Sequence, residues 1–188
     1  MCEAAGVAGY RENQTMLKTI STAFAALLLV AGSALAQGAK LNDAQIAHIA
    51  YTAGVLDVAA GEQALKKTQN KEVREFAESM VRDHMAVNDQ ALALVKKLNV
   101  TPQDNDTSKA LTKAAADKKA ELEKLSGTAF DKAYIANEVA YHKTVNGALQ
   151  STLIPSSSNA ELKTLLETGL KLFQGHLQHA EHIAMTVK

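Results

Sequence analysis

The sequence predicts an all-α protein: a four-helix bundle with an additional short helix in the long connection between its second and third long helices. Three observations carry that prediction. Beyond residue 36 only Pro102 and Pro155 interrupt the chain, the composition there is rich in Ala, Leu, Lys and Glu, and apolar residues recur at helical rather than alternating spacing.

The first long helix opens at LNDAQ, where Asn42 and Gln45 stand at the spacing of a capping box, and runs to about Thr68. A tight turn at Gln69-Asn70 leads into the second, from about Lys71 to Leu98, which ends before NVTPQDND. A shorter helix covers Ser108 to about Leu125. The third long helix starts after Ser126-Gly127, with Thr128 and Asp131 again at capping-box spacing, and runs to about Leu153. IPSSSN then breaks the chain, and the fourth long helix covers roughly Asn159 to Val187. At about 1.5 Å per residue each long helix spans about 40 Å. One helix lodged in the only long connection gives the connectivity of ferritin-like folds, which carry a single long crossover. A plain up-and-down bundle with the extra helix laid across one end is the alternative.

The first thirty-six residues stand apart. MLKTISTAFAALLLVAGSALA, starting at Met16, has the order of an export signal: Lys18 as the positive start, Ala23 to Val30 as the apolar stretch, and Ala34-Leu35-Ala36 as a small-x-small cleavage site before Gln37. Residues 1–15 have neither signal-like nor globular character, so translation is expected to begin at Met16. The expectation is therefore an extension (1–15), a signal peptide (16–36) and one helical domain (37–188), with the mature protein in the periplasm. Retention through an uncleaved signal is the alternative. Against it, a span needs about 20 apolar residues, and this run is broken by Ser21, Gly32 and Ser33. The one cysteine, Cys2, precedes the cleavage point, so the exported chain has no thiol, no disulfide and no attachment point for a c-type haem. Acidic and basic residues balance at 20 each, which predicts neither a nucleic-acid surface nor a polybasic membrane patch.

All six histidines lie beyond the signal. Phasing each helix at about 100° per residue shows which of them interrupt an apolar stripe. On the fourth long helix the stripe is Leu162, Leu166, Gly169, Phe173, Leu177, Ala180 and Ile183. His176 falls within about 40° of its centre, His179 near 100° on the flank, and His182 about 160° away. On the second, His84 lies in the middle of the stripe of Val73, Phe76, Met80, Val87 and Ala91, with Asp83 at its edge. The third places Glu138 and His142 on the buried face four residues apart, so that their side chains can meet one point. In the first, Asp57 lies near the centre of the stripe, and His48 and Glu62 point outward. Each inward group sits near the middle of its helix, so the five share a layer whichever way the helices run.

Burying two carboxylates and three imidazoles together is costly unless they neutralise one another or coordinate a cation. Asp57, His84, Glu138, His142 and His176 are the expected ligands of a metal ion, and Asp83 and His179 the expected acceptors for the outer imidazole nitrogens. Three nitrogens and two carboxylates suit iron, zinc, copper or manganese rather than calcium or magnesium. The spacing from Glu138 to His142 is four, not the three of the di-iron Glu-x-x-His pattern, which favours a mononuclear or irregular site. No Gly-rich phosphate loop, nucleophile elbow or His-Glu-x-x-His motif occurs.

The segments GVLDVAAGEQAL, EFAESMVRDHMAVN, FDKAYIANEVAYHKTV and FQGHLQHA resemble the bacterial exported family known as domain of unknown function 4142 (DUF4142). The resemblance covers Asn42 to Ala184, and the Asp-His of the second helix and the Tyr-His of the third are its most specific parts. Where this chain has Asp57 the family often has Glu, a longer reach. The resemblance implies a ferritin-like bundle, export, and an association with stress responses of the bacterial envelope. Two functions are then expected: metal binding for buffering or oxidant protection, with metal-dependent redox chemistry as its enzymatic form; or a non-enzymatic envelope protein whose polar layer is a structural hydrogen-bond network. A homo-oligomer is compatible with either, although cages do not follow from fold analogy.

Overall fold

Asparagine opens four of the five main helices. In the computed structural model, which describes residues 40–187, Asn42, Asn70, Asn105 and Asn159 are the N-caps of α1 (Asp43–Lys67), α2 (Lys71–Lys97), α3 (Asp106–Glu123) and α5 (Ala160–Thr186), and each accepts from backbone N–H groups of its first turn. Such a cap satisfies donors that the helix cannot, and each is worth about 1 kcal/mol. The predicted box at α1 is present: Gln45 N–H donates to Asn42 Oδ1 at 2.9 Å and the Gln45 side chain accepts from Asn42 N–H at 3.1 Å. α4 (Gly127–Ala148) is the exception, capped by Ser126 with no side-chain bond. The expected extension and signal peptide, with Cys2, lie outside the described residues.

Three boundaries differ from the sequence expectation. α3 begins at Asp106 rather than Ser108, because Asn105 and Ser108 form the capping box. Thr128 and Asp131 form no such box; Asp131 turns inward and is buried. IPSSSN does not end α4 at once. The helix widens into a π-turn over Leu149–Leu153, with the Ile154 N–H donating to the Leu149 carbonyl, and continues for a turn over Ile154–Ser156 that accommodates Pro155 near its start, where no N–H is needed.

The described residues contain no strand, and the four long helices form the bundle. α1 packs against α2, α2 against α5, α5 against α4, and α4 back against α1. Gln103 N–H donates to the Ala44 carbonyl near the start of α1, and Gln63 and Lys67 near its end both reach Glu123. α3 therefore climbs alongside α1 from one end of the bundle to the other. It is the long crossover itself, not a helix laid across one end, and it lets α4 run parallel to α2. The chain returns through Ser157–Asn159, clamped to the start of α1 by Asp43, which accepts from Ser158 N at 2.9 Å, Ser158 Oγ at 2.6 Å and Asn159 N at 3.0 Å.

α1 and α2 approach most closely at two glycines. A Cβ on Gly54 would fall inside contact distance of Asn88 Oδ1, and one on Gly61 would stand 2.9 Å from Val81 Cγ2 and 3.2 Å from the Ala77 carbonyl. The apolar interior is divided. Phe76, Met80, Phe130, Tyr134 and Ile183 fill one cluster, and Ile46, Leu149, Leu162, Leu166 and Phe173 fill another. Each such side chain contributes roughly 1.5–3 kcal/mol on full burial. Polar side chains from all four long helices occupy the level between them. No described helix is long and apolar enough to cross a membrane.

Candidate metal centre

Asp57 of α1, His84 of α2, Glu138 and His142 of α4 and His176 of α5 converge in that middle level, none more than 6% exposed. Their helical phase puts them there: each replaces an apolar residue in the stripe that its helix turns to the core. Asp57 Oδ2 lies 2.8 Å from His84 Nε2 and 3.5 Å from His142 Nε2, and Glu138 Oε2 lies 3.7 Å from His142 Nδ1. The three imidazole rings are mutually 5.4 to 5.8 Å apart, centre to centre.

Two of the rings are fixed by groups that can only accept. His142 Nδ1 donates to the Glu138 carbonyl at 3.0 Å, one turn back on its own helix. His176 Nε2 donates to Asp83 Oδ2 at 3.0 Å, and Asp83 Oδ1 accepts in turn from Arg82 Nε at 2.8 Å. The lone pairs consequently reside on His142 Nε2 and His176 Nδ1, and both atoms are buried without a hydrogen-bond partner. His84 is held differently, stacked on Phe173 at 4.5 Å with the rings 9° apart. Its nitrogens, both oxygens of Asp57 and Oε2 of Glu138 are also unpaired. The 2.8 Å approach of Asp57 to His84 is thus a close polar contact out of line for a hydrogen bond. For bonds of about 2.1 Å, neighbouring ligand atoms around an ion lie about 3.0 Å apart in an octahedron and about 3.4 Å in a tetrahedron. The separations between Asp57 and its two histidine neighbours are of this size.

The ionisation states point the same way. Burial pushes the Asp57 carboxyl up, but the adjacent His84 and His142 imidazoles outweigh it and leave it at about 2. Glu138 is driven well above the usual carboxylate range by burial and then by the Asp57 charge. Burial lowers His142, and it lowers His176 to about 4 in spite of Asp83. Both imidazoles are therefore neutral at pH 7, the form in which they donate a lone pair to a cation.

Of the outer residues expected from the sequence, Asp83 is in place, its side chain 20% exposed and bonded to His176. His179 is not brought to the layer; it is exposed, with its ring edge-on to Phe76 at 5.3 Å. Sequence reasoning missed Asp131, Tyr134 and Asn146. With Glu138 and His142 they occupy one face of α4 at spacings of three and four, and all five carry a buried polar atom with no partner. That spacing was a readable signal. It also missed Asn88, buried beside Gly54; Tyr141, marked only through the Tyr-His of the family resemblance, donates its hydroxyl to the Ala53 carbonyl at 2.8 Å.

Residues 29–183 match the family described as Domain of unknown function (DUF4142). The chain belongs to that family. No curated protein and no solved structure matches it. All five residues of the layer fall inside the DUF4142 match, as do Asp83 and the crossover helix.

Proposed function

We propose that this DUF4142 protein is exported and holds a transition-metal ion, one of iron, zinc, copper or manganese, in the middle of its bundle, through His84, His142 and His176 with Asp57 and Glu138 as carboxylate ligands or orienters. Metal buffering or protection against oxidants in the cell envelope is the role that such a centre suits. One observation carries the reading: donor atoms from four helices meet in the core with their lone pairs unpaired, while the opposite nitrogens of His142 and His176 are fastened to acceptors. A structural network would satisfy its own members, since a buried unpaired polar atom costs about 1–3 kcal/mol. These atoms lack aligned hydrogen bonds to one another and cluster instead as two overlapping sets of possible ligands.

Elemental analysis tests it directly. Protein prepared from the periplasm without an affinity tag or chelator is expected to contain about one equivalent of a transition metal, and a His84→Ala/His142→Ala double variant none. A wild-type protein that is metal-free and takes up none of the four ions on titration would return the layer to a structural role.

A further inference from the structure

The donor atoms of the layer fall into two sets. His84, His142 and His176 each offer an atom within 4.8 Å of the others, and so do Asp57, Glu138 and His142. The first set is all nitrogen. The second is two carboxylate oxygens and one nitrogen. They overlap at His142 alone. The Glu138 carboxylate stands 3.7 Å from its Nδ1, but that nitrogen already donates to the Glu138 carbonyl, so Nε2 carries the one lone pair left for an ion. Nε2 can direct its single lone pair at one ion. Two ions held side by side could not both use that lone pair.

We propose that the centre has two alternative seats for a single ion, a histidine seat (His84, His142, His176) that selects copper or zinc and a carboxylate seat (Asp57, Glu138, His142) that selects manganese or ferrous iron. The selection follows from donor type: imidazole nitrogen favours borderline ions, and carboxylate oxygen favours harder ones. Asp57 stands between the seats, 2.8 Å from His84 and 3.5 Å from His142, and can serve either. Glu138 belongs to one seat only, and His176 to the other. The inference rests on the metal-binding reading and goes beyond it, because it makes the ligand set depend on which ion arrives.

The test uses the mature chain, stripped with a chelator and loaded with either Cu²⁺ or Mn²⁺ alone, in the wild type and in the Glu138→Gln and His176→Asn variants. Affinity is read by titration and the ligands by electron paramagnetic resonance. Glu138→Gln is expected to weaken Mn²⁺ about tenfold or more and leave Cu²⁺ within about threefold, and His176→Asn to do the reverse. Wild-type Cu²⁺ should show hyperfine coupling to three nitrogens and Mn²⁺ to one, which decides the matter even where a variant folds poorly. Cu²⁺ should displace Mn²⁺ one for one. Equal weakening of both ions by both variants, or simultaneous binding of two ions, would overturn the two-seat arrangement while sparing the metal centre. Failure of the wild type to bind either ion would overturn the centre itself.

Discussion

The metal-free protein should hide a compensation that single substitutions expose. His176 has a folded value of about 4 against an ordinary 6.5, so between those values the unfolded chain carries a proton that the folded one refuses. Its contribution is complete above 6.5 and falls away as pH drops towards 4, by about 3 kcal/mol at about 1.4 kcal/mol per pH unit. Glu138 has the opposite sign. Its folded value lies well above the ordinary 4.5, so the folded chain keeps a proton that the unfolded one loses, and stability declines as pH rises above 4.5. Asp57, held at about 2 against an ordinary 3.8, contributes fully above 3.8 and loses its contribution only as pH falls through about 2. From pH 4.5 the His176 and Glu138 slopes therefore oppose one another, while His142, lowered by burial, adds to the His176 side. Glu138→Gln removes one side of the balance: its stability should rise more steeply from pH 4.5 to 6.5 than that of the wild type, and that of His176→Asn should rise by about 3 kcal/mol less. Urea denaturation at pH 4.5, 5.5 and 6.5 resolves this, since about 3 kcal/mol moves a midpoint by about 1–3 M. Variant profiles that run parallel to the wild type would mean that neither group binds protons differently in the folded and unfolded chains.

Two further outcomes concern the frame of the bundle. Gly54→Ala gains about 1 kcal/mol of helix propensity but drives a methyl group into Asn88, an overpacking cost of about 1–3 kcal/mol, so the net effect should be a loss that Asn88→Ala largely repairs in the double variant. A single variant that melts above the wild type would mean that Asn88 moves aside freely. Asp43→Ala removes the acceptor that holds Ser158 and Asn159, and should cost about 1.5–3 kcal/mol in urea denaturation together with faster proteolytic cleavage at 157–159. An unchanged cleavage rate would show that the clamp does not restrain the return to α5.

The five residues of the layer were legible because a helix writes its buried face at a regular interval, and a charged residue on that interval has few reasons to be there. Facing could be phased for His176 and His182 alike, and the structure buries the first and exposes the second. Chain ends were harder. Thr128 and Asp131 have the spacing of a cap, but spacing does not reveal that Asp131 turns into the core while the chain enters α4 through Ser126. Asn105, three residues ahead of the predicted start of α3, competes with Ser108 for the cap and wins because the two side chains satisfy each other's backbone N–H. Pro155 marks a helix stop in most settings; here the widened ladder from Leu149 to Ile154 carries the helix up to it. Contacts between helices, such as His84 on Phe173 or Gly54 against Asn88, depend on register between segments distant in the chain, and no pattern within one segment encodes them.

The side chains around the centre become steadily more accessible towards the outside: Asp57 and Glu138 at 0%, His142 at 1%, His84 at 4%, His176 at 8%, Asp83 at 20%, and Arg82 at 69%. Among these residues, the way out leads between α2 and α5, past an imidazole that is itself tied to the surface. A cation seated inside would thus have a residence time set by how often the Asp83–His176 contact opens, rather than by the strength of any scavenger outside. Raising the chelator concentration would then stop accelerating its escape once every opening is productive.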